Sequence, residues 1–136
     1  MAQSTTDKLQ EARRPIISLI SKSAKAQQKL APESWQHGML GENLRALHIA
    51  LKLMEGASAT DQYPRGELEE ALHVLVRMIR KTHEAQSKFS SGSSQHTLLR
   101  NRLKALRVAE AGVTASLRSH KTPNQTTQRT APRSDR

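Results

Sequence analysis

Histidine is the side chain best suited to move a proton or hold a metal near neutral pH, and two of the six histidines here stand in matching surroundings. Residues 34–50 read SWQHGMLGENLRALHIA, and residues 93–109 read SSQHTLLRNRLKALRVA. Each histidine, His37 and His96, also has a glutamine ten residues before it, Gln27 and Gln86. Two such pairs invite two chemistries. Either each glutamine satisfies its histidine as a polar layer that fixes helix register, or the two pairs converge on one ligand or metal. The second is disfavoured, because two histidines are too few for a stable zinc site. No carboxylate recurs beside them, since Glu33 is matched by Gly92.

Other chemistry finds little support. The chain has no cysteine, which removes thiolate nucleophiles, thiolate metal ligands and disulfides. His83-Glu84 begins like a zinc-protease motif, but no second histidine follows at the required spacing. No Gly-x-Ser-x-Gly elbow and no phosphate-cradling glycine loop occurs. The sequence therefore predicts a protein that is not an enzyme and uses neither cofactor nor metal.

Cations are better organised. Arg100, Lys104 and Arg107 are spaced three and four apart, as on one helical face, and Arg118 returns to that face. Lys121 lies just beyond it, and Lys22, Lys25 and Lys29 form a second stripe. Between residues 91 and 118 the only acid is Glu110, which is expected to pair with His73 or Arg77. Rows of uncompensated cations bind phosphate backbones without reading bases.

The elements that position these groups follow from a self-similarity at an offset of 59 residues. Across residues 9–52 and 68–111 there are 16 identities in 44 ungapped positions, Gln27/Gln86 and His37/His96 among them. A repeat of that length marks one supersecondary unit used twice. Within each unit Leu9, Ala12, Ile16 and Leu19, then Leu40, Leu44 and Leu47, keep the 3–4 spacing of an amphipathic helix. The connections APE and SSG are short enough for helical hairpins, with Ser34 and Ser93 as N-caps. Pro64 is expected to open the third helix, and Pro15 to kink or restart the first.

The predicted fold is all-α: an up-down-up-down four-helix bundle of two tandem hairpins, about 6–55 and 64–118, with helices near 6–30, 34–55, 64–89 and 93–118. Residues 119–136, which hold no apolar side chain larger than proline, are expected to form a disordered basic tail. The 22 Lys and Arg against 12 Asp and Glu give a net charge of +10. That balance favours anionic partners, DNA or RNA first. With only Trp35, Tyr63 and Phe89 aromatic, stacking of successive bases has little to work with. The alternative is a protein-protein interaction module, an adaptor or small regulatory subunit. No export signal and no membrane span is legible, so a cytoplasmic location is expected.

Overall fold

The computed structural model describes the backbone of residues 4–55 and 62–130, and the side chains of residues 9–55 and 62–119. Four helices follow one another, α1 Ser4–Gln28, α2 Trp35–Glu55, α3 Arg65–Gln86 and α4 Ser94–Thr130. Among the described residues there is no strand, and no helix is long and apolar enough to cross a membrane.

Each helix buries one stripe, and the four stripes meet in a single core. Ile16 of α1, Leu47 of α2, Leu68 and Leu75 of α3, and Leu106 and Val113 of α4 are its largest fully buried members. The helices are not arranged as a square. α1 and α3 each pack on both α2 and α4, α2 and α4 also touch across the diagonal, and α1 and α3 do not meet. Small side chains allow helix axes to approach closely. α2 and α4 both bury alanines, Ala46 and Ala50 on one and Ala105 and Ala109 on the other.

The turn chemistry matches the sequence. The His37 amide donates to Ser34 Oγ at 3.2 Å, and the His96 amide donates to Ser93 Oγ at 3.1 Å. Each serine thus satisfies one of the free N–H groups at a helix start. Backbone bonds from Lys29 to Ala26, Leu30 to Gln27 and Ser34 to Ala31 shape the first turn. They recur from Lys88 to Ala85, Phe89 to Gln86 and Ser93 to Ser90 in the second. Only the residue before the cap differs in kind: Gly92 has φ +96°, while no described non-glycine residue has a positive φ. That left-handed conformation suits glycine.

Several expectations are corrected. Of the two outcomes expected at Pro15, a kink or a restart, the restart is overturned, because α1 runs through it as one helix. Helical residues on both sides hold the chain in register although Pro15 cannot donate to the carbonyl of Glu11. Pro64 is the N-cap of α3, one place before the first helical residue, with an extended ψ of 155°. α3 ends at Gln86, short of the expected 89, so Phe89 lies in the turn and is exposed. α4 continues to Thr130, past the expected end at 118. Its backbone thus continues as helix past Ser116, the last buried residue among those described. The side chains from His120 onward and all of 131–136 lie outside the described residues, as does the predicted linker at 56–61.

Candidate functional site

The cationic rows are held outward by the same periodicity that turns the leucines inward. Lys22 and Lys25 are exposed on α1 and Lys29 in the turn after it, and Arg100, Lys104, Arg107 and Arg118 are exposed on α4. The backbone of Lys121 belongs to α4, but its side chain lies outside the described residues. Burial draws the Arg102 guanidinium below its ordinary pKa by desolvation, so Arg102 belongs to the packed side of α4 and not to the exposed row.

Sequence reasoning treated the α1 and α4 stripes as separate. In the structure one cleft opens between α1 and α4, lined by Lys104 and Arg107 of the α4 stripe and by none of the three lysines of the α1 stripe. Its volume is about 640 Å³, and it is walled by Arg14 on α1 and by Lys104 and Arg107 on α4. Ala12, Pro15, Ala105 and Val108 contribute apolar surface, Asn101 adds an amide, and Glu11 is the single acid lining it. At 100° per residue, positions 14, 18, 22 and 25 fall on one face of α1. Lys22 and Lys25 therefore share the helix face that carries Arg14, beyond the residues that line the cleft, and Lys29 follows in the turn. Arg14 was missed by the sequence analysis, although its four-residue steps to positions 18 and 22 were the available signal.

A second, narrower cleft of about 40 Å³ lies between α2 and α3. Its Arg45, Ala46, Ile49, Glu70, Ala71 and Val74 stand 59 residues from Lys104, Ala105, Val108, Glu11, Ala12 and Pro15 of the first. The equivalent places differ in charge and in closure. Glu42, Glu67 and Glu70 line the α2–α3 cleft, against one acid in the α1–α4 cleft. Val74 and Ile49 are buried, whereas their counterparts Pro15 and Val108 are only half-buried.

Three acids elsewhere are already engaged. Arg13 pairs with Glu55 at 3.0 Å, Arg65 with Glu69 at 2.9 Å, and Arg77 with Glu42 at 3.2 Å. Arg77 also donates to Asn43 Oδ1 at 3.0 Å. The expected partnership of Glu110 with His73 or Arg77 is therefore corrected, because Arg77 reaches across to α2 instead. Among the described residues, no ion pair involves Arg14, Lys104 or Arg107. Cations grouped around a concave, low-dielectric wall raise the local concentration of anions.

The glutamine-histidine layers prove unequal. Gln27 does reach residue 37, but its amide donates to the His37 carbonyl at 3.1 Å and not to the imidazole. No corresponding bond joins Gln86 to His96 among the described residues. Gly41 supplies the reason: a Cβ there would lie 3.2 Å from Gln27 Nε2. The counterpart of Gly41 is Arg100, so a side chain stands where the second amide would need room. All four residues are half-buried. Among the described residues, no group of three or more histidines and carboxylates is placed to hold a metal.

Comparison of the chain with protein-family models, curated proteins and solved structures returns no match.

Proposed function

We propose that this protein is a non-catalytic nucleic-acid-binding bundle that grips the phosphate backbone along the α1–α4 cleft. The observation that carries this reading is the convergence of Arg14, Lys104 and Arg107 on one cleft, free of ion pairs among the described residues, while the offset-equivalent cleft is lined by glutamates. In this proposal the bundle is an up-down-up-down arrangement of two duplicated hairpins. The shared caps, turn bonds and buried alanines support the duplication. One copy carries an acidic, closed flank and the other a cationic, open one. The segment from Arg118 through Lys121 and the arginines beyond it adds further phosphate contacts.

The test is a titration of a labelled oligonucleotide across a salt series. Binding should weaken steeply with salt, because each neutralised phosphate adds roughly 0.7 to 0.9 to the negative log-log slope. Lys104→Gln with Arg107→Gln should lower that slope by about 1 to 2. Absence of any binding to single or double strands at about 50 mM salt sinks the proposal.

A specific observation favours a second reading, a protein-interaction module. Trp35 is 70% exposed, Leu98 49% and Phe89 41%, all at or near the hairpin turns. Large apolar side chains left in water mark contact surfaces more often when they are grouped. Retention of a protein partner after nuclease treatment and at high salt would favour this reading over the first.

A further inference from the structure

Resting on the nucleic-acid reading, we propose that the α1–α4 cleft takes a single strand, with its phosphates against the two cationic walls and its bases or sugars turned onto the apolar floor. The ligand is thus an unpaired oligonucleotide and not a duplex.

The argument begins with what a phosphate-only grip would not require. A cationic ridge is enough to hold a duplex by its backbone. Here the cations stand beside an open cleft of about 640 Å³ whose floor includes Ala12, Pro15, Ala105 and Val108. That is the size and apolar character of a cleft that accepts an organic ligand. Adjacent packed helices have axes roughly 8–10 Å apart. A duplex keeps its bases inside two strands and presents phosphates and groove edges, so it can rest on the rims of such a cleft without filling it. A single strand can enter, because its bases are free to turn away from its phosphates.

Pro15 contributes twice. Its ring gives the floor a rigid apolar surface, half-buried where Val74 of the other cleft is buried. It also lacks the N–H that would bond the carbonyl of Glu11 within α1, and both residues line the cleft. In the proposed complex that carbonyl accepts from a donor on the ligand. Unpaired bases carry such donors on their Watson–Crick edges, whereas in a duplex those edges are occupied. Asn101 offers a second group able to donate and accept. The scarcity of aromatic residues is consistent with this arrangement, since the floor supplies aliphatic contact and not stacking.

The chain contains no cysteine, so Val108→Cys introduces a unique thiol on the floor with little change in volume. Two readouts decide the proposal. Fluorescence anisotropy compares an oligothymidylate of about ten nucleotides, within the usual span of a single-strand site, with its duplex on oligoadenylate. The single strand should bind at least roughly tenfold tighter at equal salt. The rate at which iodoacetamide alkylates the floor thiol of the Val108→Cys variant is then measured with each ligand at saturation. Here the single strand should slow the reaction roughly tenfold, while the duplex, although it brings the phosphates of two strands, should leave it nearly unchanged. Val76→Cys on α3, exposed and remote from the lining residues, serves as the control thiol and should react equally in all cases. Equal or tighter duplex binding, or a floor thiol left unprotected by the saturating single strand, overturns the single-strand assignment while leaving the nucleic-acid reading standing. Failure of the parent protein to bind either ligand removes the nucleic-acid reading itself, and this assignment with it.

Discussion

One change of residue links the two features on which the sequence first drew attention. Position 41 is glycine, and the Gln27 amide sits where a Cβ at 41 would come within 3.2 Å. Its counterpart at 100 is arginine, which both denies Gln86 that place and supplies the first cation of the α4 row. The polar layer and the basic stripe are therefore alternatives at one position. Gln27→Ala removes a half-buried hydrogen bond to a backbone carbonyl that lies inside α2, leaving no buried charge behind. It should cost about 0.5–1.5 kcal/mol in urea unfolding, the usual net value of one such bond. Gln86→Ala should fall within about 0.5 kcal/mol of the parent, as a surface substitution does. Equal losses at both positions would show that Gln86 holds a comparable bond, and that Arg100 does not displace it.

At the scale of the helices, local signals were legible and crossings between helices were not. The 3–4 periodicity gave four helices, and Ser34 and Ser93 cap as their chemistry dictates, because a cap depends on the next three residues alone. The pairing of Arg77 with Glu42 and Asn43, and the meeting of Arg14 with Lys104 and Arg107, depend on which helix lies beside which. Nothing within a window of one turn carries that information. Pro15 misled for a related reason. Its local cost is real, yet α1 is anchored on both sides of it by Ala12, Ile16 and Leu19 in the core, so the helix absorbs the missing bond. Pro15→Ala restores the donor and removes the ring clash, and should stabilise the protein by about 1–3 kcal/mol. Denaturant midpoints at unchanged slope measure this. No gain would mean that α1 already compensates in full. If the open cleft also serves binding, the stabilised variant should bind its oligonucleotide more weakly, the trade expected where a strained position is kept for function.

For the whole molecule the question is whether two similar hairpins behave as two bodies or as one. Tandem units in an extended array contact only their neighbours and can unfold piecewise. Here the core draws on all four helices: Ile16, Leu47, Leu75 and Leu106 belong to one cluster. The diagonal approach of α2 and α4 places the second helix of the first hairpin against the second helix of the other. Neither hairpin can expose its apolar face without exposing part of the other's. Leu47 and Leu106 are fully buried and occupy equivalent positions, so they test this from the two sides. Leu47→Ala and Leu106→Ala should each cost about 2–5 kcal/mol, the range for a buried leucine whose cavity relaxes only in part. Each should shift a single transition seen alike by circular dichroism and by Trp35 fluorescence, as for other small single domains. The informative comparison is Leu106→Ala watched through Trp35, which lies in the first hairpin. If the hairpins were independent, Trp35 would report an unshifted midpoint. A shift equal to that of the helical signal places both hairpins in one cooperative unit, with the cationic flank of α4 held in position by residues of the first hairpin as much as by its own.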